Sequence, residues 1–68
     1  MASFWRDPVV LTFVGEDNRP LGRLTNPPHV PRVGENVRLA DVPHVVARVG
    51  YDVAGGELTG IWVVCRPA

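Results

Sequence analysis

Seven guanidinium groups and a few flat rings are the best chemical equipment of this chain, and the chemistry they suit is capture of an anion. All seven basic side chains are arginine, so each can make the planar two-point contact with phosphate or carboxylate that a lysine cannot. The same lack of lysine, beside abundant Val, Ala, Gly and Pro, also fits the compositional bias of a GC-rich genome and by itself demands no ligand. Arg19, Arg23, Arg32, Arg38 and Arg48 fall on turns or polar strand positions, and Trp5, Tyr51 and Trp62 offer surfaces on which a ring could stack. Strand alternation assigns Trp62 to the core, whereas Trp5 lies in an unpatterned start, as a lid on its own domain or an anchor in a neighbouring subunit. The ligand-binding set expected from these positions is Arg32, Arg48 and Arg38, with His29 and Asn26 as donors and Trp5 as the stacking ring.

Catalytic and metal chemistry find less support. His29, His44 and Cys65 fall on separate elements without zinc-type spacing, so each reads as structural or solvated. A Cys-His pair could meet only in the fold, and the sequence has no nucleophile elbow, phosphate-cradling glycine loop or H-E-x-x-H pair. The expectation is a non-catalytic protein without metal or cofactor. Cys65, the single cysteine, excludes an internal disulfide, reads as a small buried hydrophobe and fits a reducing cytoplasm.

Positioning these residues falls to a chain of 68 residues, one domain, which at this size buries only ~60% of the surface exposed on unfolding. Zero net charge argues against a protein that coats nucleic acid through its overall field. The start lacks a secretory pattern, and the longest apolar run, Ile61 to Cys65, is far short of the about 20 residues that span a bilayer. A soluble, cytoplasmic protein with no membrane partner is expected.

The strand signals are strong. Residues 44 to 66 read as a hairpin turning at Gly55-Gly56, a pair able to supply the positive φ angles of a type I′ turn. A regular ladder from that turn faces Val53 with Leu58, Tyr51 with Gly60, Val49 with Trp62 and Ala47 with Val64, and makes this surface core. Val46, Ile61, Val63 and Cys65 then form a second apolar surface, expected to meet a second layer or a partner subunit. Pro8 to Glu16 alternates as a strand with Val9, Leu11 and Phe13 on one face, and returns over Pro20 to Thr25. A turn at Asp17-Asn18 pairs Val14 with Leu21, Phe13 with Gly22, Thr12 with Arg23 and Leu11 with Leu24. In both hairpins an aromatic would cover a glycine, Phe13 over Gly22 and Tyr51 over Gly60. Between them Asn26 to Arg32 carries three prolines, a stiff connector and the candidate wall of a site. A turn at Val33 to Asn36 leads into a short strand with Val37 and Leu39 inward and Arg38 outward. The expected fold is all-β: a small five-stranded antiparallel bent sheet or partly closed barrel, two hairpins joined by a proline-rich loop, with at most one helical turn at Ser3 to Asp7.

The run from Val30 to Leu39, with the pattern P-x-V-G-E-x-V-x-L, followed by a valine-rich strand reaching Tyr51-Asp52 and a closing Val63-Val64-Cys65-Arg66-Pro67, resembles a loose group of short bacterial and bacteriophage proteins. The resemblance implies a small barrel of the Src-homology-three type and a bacteriophage setting, and carries over no catalytic or ligand residues.

The function expected is a homo-oligomeric, non-catalytic binding module that takes an anionic small molecule of nucleotide type at a subunit boundary; in a phage setting this would sequester a host signal as counter-defence. The alternatives are a protein-interaction or structural module with no small ligand and, less favoured by the neutral charge, a binder of single-stranded nucleic acid.

Overall fold

Alternating apolar positions punctuated by Gly, Asn and Pro build five strands in the computed structural model, which describes residues 8–68. They are β1 (Val10–Gly15), β2 (Pro20–Thr25), β3 (Asn36–Leu39), β4 (Val42–Ala54) and β5 (Glu57–Pro67), with no helix among the described residues. The turn proposed for Ser3 to Asp7 lies outside those residues. One sheet in the order β2-β1-β5-β4-β3 curls into a small, nearly closed barrel, confirming the all-β class. The sheet is mixed rather than antiparallel, because β1 lies parallel to β5 from Val10↔Gly60 to Gly15↔Cys65. Local patterns specify hairpins. Which strand meets the free edge of β1 depends on how the proline loop carries the chain round, a long-range outcome.

The first hairpin keeps Leu11↔Leu24, Thr12↔Arg23 and Phe13↔Gly22 as expected, but Val14 faces Pro20, not Leu21. The loop is one residue longer than a two-residue turn: Asn18 N–H donates to Gly15 O (3.0 Å), Gly15 N–H to Arg19 O (2.8 Å), and Asn18 sits at φ 66°. This is the three-residue hairpin connection, and Leu21 is left as the bulge that absorbs the offset. Phe13 does not cover Gly22, around which a Cβ would meet nothing within 4 Å.

The second hairpin corrects the inside-outside assignment. Gly55 and Gly56, at φ 61° and 78°, form the turn, and Val53 faces Leu58 as expected. Thr59 then bulges, its hydroxyl donating to Asp52 O (3.1 Å), and the ladder slips by one, giving Asp52↔Gly60, Tyr51↔Ile61, Gly50↔Trp62 and Val49↔Val63. A second bulge at Ala47 restores the original register at Val46↔Cys65. Since a one-residue slip exchanges the faces of a strand, Trp62 and Val64 point outward. The core comprises Leu11, Phe13, Val46, Ile61, Val63 and Cys65, packed against Val9, Leu21, Val30, Val37, Leu39 and Val49. The apolar surface expected to bind a partner is therefore the core itself, and Tyr51, Val53 and Leu58, expected inside, are exposed.

The proline segment spans the open seam between β2 and β3. Its far end is tied down: Gly34 N–H donates to Val46 O and Val46 N–H to Glu35 O, each 2.9 Å. Arg32 to Glu35 forms a turn around Gly34, whose φ of 93° suits glycine. β3 then carries Val37 and Leu39 inward and Arg38 outward, as the alternation requires.

Candidate ligand-binding face

Because Thr59 drops out of the ladder, the outer face of the sheet acquires an indole. Trp62, beside Thr12 of β1 and opposite Gly50 of β4, is 45% exposed. Its Nε1–H donates to Asp52 Oδ2 on the same face, so the ring is held in one orientation. Gly60 makes room for that carboxylate: a Cβ there would lie 3.2 Å from Asp52 Oδ2. At Gly50 a Cβ would meet nothing within 4 Å, so the backbone opposite the indole is open. Trp62, Thr12, Val14, Asn18, Pro20 and Arg23 line a shallow concavity of about 730 Å³ across β2, β1 and β5.

The ladder also sorts the charges. Arg23 pairs with Thr12, which pairs with Trp62, placing Arg23 two strands from the indole, about 10 Å across the sheet. Arg48 pairs with Val64 and so lies diagonally across from Trp62, a separation of about 7–8 Å between such positions. Arg38, opposite Pro43, and Arg66, opposite Val45, fall on this same face. A chain of zero net charge thus gathers four of its guanidinium groups on one surface, while Asp52, the carboxylate nearest the indole, is engaged by the indole N–H.

The six residues expected to form the site do not converge. Arg48 and Arg38 share the outer face, but Arg38 lies near the far end of the β3–β4 ladder. Arg32 belongs to the turn after the proline segment, its backbone N–H donating to Glu35 Oε1 (2.7 Å), and lines a separate groove with Val33, Val49 and Tyr51. His29 lines the seam, a cleft of about 640 Å³ with Pro28 and Pro31 as wall and Phe13, Leu24 and Val37 as apolar lining. The loop is therefore the wall of a concavity, as expected, but one bordered by Glu35 and lacking arginine, which disfavours an anion there. Asn26 is a structural clasp at φ 52°: its Oδ1 accepts from Val9 N–H (3.1 Å) and its N–H donates to Val9 O (2.7 Å). Trp5 lies outside the described residues.

At the opposite end, His44 and Cys65 reach one small cavity of about 330 Å³ beside Asp17 and Arg19. His44 is buried, with Nδ1 2.9 Å from Val42 O. Cys65 is 1% exposed, and burial pushes its thiol above the ordinary range, which keeps it protonated and a poor nucleophile. Among the described residues no three His, Cys, Asp or Glu side chains gather as metal ligands. Among them too, no helix is long and apolar enough to cross a membrane.

Comparison of the chain with protein-family profiles, curated proteins and solved structures yields no match. The outer-face residues Trp62 and Arg23 were undervalued by the sequence reading, which held the ladder regular. The signal was present: Thr59-Gly60 interrupts the apolar alternation, and an indole N–H needs an acceptor that a core of Val, Leu and Ile does not offer.

Proposed function

We propose that this protein is a non-catalytic binding module whose outer face takes an anionic ligand with a flat ring, of the nucleotide class. The observation that carries this reading is the half-exposed, hydrogen-bonded Trp62 between two arginines, Arg23 and Arg48, with open backbone at Gly50. A base stacked on the indole would gain about 1–3 kcal/mol, and guanidinium groups on either side would supply charge-assisted contacts to phosphate. The concavity falls within the ~300–1,000 Å³ range of small-molecule sites, so one chain supplies enough surface without a subunit boundary. In the bacteriophage setting implied by the resemblance, such binding would sequester a host signalling nucleotide.

Calorimetric titration with AMP and with a cyclic dinucleotide tests the reading. Trp62→Ala should abolish binding, and Arg23→Ala and Arg48→Ala should each weaken it at least about tenfold, roughly the loss of one charge-assisted contact. Arg48→Lys should recover only part, and Arg32→Ala should bind like the parent. Absence of binding by either probe at millimolar concentration, or equal affinity in all variants, would refute it. A second reading, as a protein-interaction module, is favoured by the exposed apolar residues of the β4–β5 arm.

A further inference from the structure

One carboxylate on the outer face is held as firmly as the indole beside it. Asp52 accepts Trp62 Nε1–H on Oδ2, and its main-chain carbonyl accepts the Thr59 hydroxyl (3.1 Å). Gly60, opposite it in the ladder, leaves the space its side chain occupies, since a Cβ there would lie 3.2 Å from Oδ2. The indole uses only one of the two oxygens, and Oδ1 has no hydrogen-bond partner among the described residues. A carboxylate accepts at about four sites and donates at none, so a ring lying on the exposed face of Trp62 meets a pure acceptor at the Asp52 edge. The rest of the face gives that arrangement a direction. Arg48, Gly50 and Asp52 alternate along the outer side of β4, which sets the main-chain positions of carboxylate and guanidinium about 13 Å apart with the Gly50–Trp62 pair between them. At that separation, beyond the ~8 Å Debye length at physiological salt, Asp52 opposes a phosphate at Arg48 only weakly.

We infer that Asp52 selects the base of the nucleotide and that the base is guanine, its ring on Trp62, its Watson–Crick edge at Asp52 and its phosphate toward Arg48. This inference rests on the nucleotide reading above and deepens it. Among the common bases guanine alone presents two adjacent donors on that edge, N1–H and the 2-amino group, and both can point at one carboxylate. Adenine and cytosine offer a single amino donor beside a bare ring nitrogen, whose lone pair the carboxylate repels. Uracil offers one N–H between two carbonyl oxygens. A purine also covers more of the indole than a pyrimidine does. The firm seating of Asp52 matters here, because a carboxylate free to rotate away would impose no choice.

Calorimetric titration of the full chain with GMP, IMP and AMP separates recognition by Asp52 from binding as such. GMP should bind at least tenfold more tightly than AMP, the worth of one hydrogen bond to a charged group. IMP, which keeps N1–H and lacks the amino group, should fall between them. Asp52→Asn, a substitution at an exposed position, keeps an oxygen for the indole N–H and so turns its amide N–H2 toward the base. It should leave the indole emission unchanged, lower GMP affinity at least tenfold and bind AMP at least as well as the parent. Equal affinity of the parent for GMP and AMP, with both lost in Trp62→Ala, overturns this inference and leaves the nucleotide reading standing. An equal fall for GMP and AMP in Asp52→Asn overturns it too, since Asp52 would then only position the ring. Binding of none of the three at millimolar concentration overturns both.

Discussion

Val63 and Val53 are the same residue on adjoining strands, and the register of the β4–β5 ladder makes truncating them very different perturbations. Val63 is fully buried between Phe13 of β1 and Val49 of β4, whereas Val53 is 67% exposed. Val63→Ala removes two buried carbons, about 1.6 kcal/mol of transfer free energy at ~0.8 kcal/mol each, and the unrelaxed cavity raises the loss toward about 2.5 kcal/mol. At Val53 roughly a third of the same transfer term applies, about 0.5 kcal/mol. A domain of 68 residues has a total of roughly 3–10 kcal/mol. Val63→Ala therefore consumes a large share of it and lowers the melting temperature by about 10–20 °C, against about 2–4 °C for Val53→Ala. Urea unfolding followed by far-ultraviolet circular dichroism, at low micromolar protein so that association does not contribute, measures both on one scale. The regular ladder without a bulge at Thr59 predicts the opposite order. Equal losses, or a larger loss at Val53, would show that the slip does not occur and that Trp62 faces the core.

Further outcomes follow from three particular groups. Cys65 is buried and its thiol raised above the ordinary value of about 9, so the native protein should be inert to a thiol reagent at neutral pH and react only on unfolding, as timed spectrophotometric labelling would show. Between that value and the higher folded one, the unfolded chain has lost the thiol proton and the native chain keeps it. Stability therefore falls as pH rises above about 9 and is insensitive to this group below it; Cys65→Ala should flatten the alkaline limb relative to the parent, and parallel limbs would contradict the burial. Ala40 occupies the left-handed region at φ 51° in the β3–β4 turn, where a Cβ costs about 1–2 kcal/mol; Ala40→Gly should raise stability by about 0.5 kcal/mol after the entropy of glycine is subtracted, and a loss in calorimetry would refute the strain. Asp52→Ala should free the indole of Trp62, shifting its emission and weakening nucleotide affinity while changing stability by less than about 1 kcal/mol.

What the sequence made legible was whatever is encoded within a few residues. Gly55-Gly56 announces a turn because few other pairs tolerate two positive φ angles, and Val37-Arg38-Leu39 announces a strand because only alternation puts both apolar side chains on one face. On the same ground Leu11 and Phe13 were placed on one shared face, which the structure buries, and Val37 was placed inward. Three things escaped. The parallel β1–β5 pairing joins residues about 50 apart and leaves no local mark. The convergence assumed for Arg32, Arg38 and Arg48 required knowing how the proline segment crosses the seam. The bulges escaped because a period of two propagates any single offset down the whole strand, so one residue, Thr59, exchanged the faces of every position from Val49 to Tyr51 relative to Ile61 to Val63.

That sensitivity also explains why the candidate face lies where it does. A strand pair 13 and 11 residues long carries more apolar residues than a barrel of this size can enclose, so some must be exposed. With a regular ladder the surplus would be Ile61, Val63 and Cys65, none of which can use water. The Thr59 bulge encloses these and presents Trp62 instead, whose N–H finds Asp52 and whose ring retains a face for a ligand. The Ala47 bulge then restores the register, so that Val46 and Cys65 still close the core and His44 is still buried. Between the two bulges the exposed side of the ladder carries Arg48, Gly50, Asp52, Trp62 and Val64. The aromatic centre of the candidate site therefore lies in the slipped segment, where the ladder exposes an indole without exposing the core, and β1 and β2 extend the site with Thr12 and Arg23. Deleting Thr59 should merge both effects, driving Trp62 inward and Ile61 and Val63 outward, and should cost stability and ligand binding together.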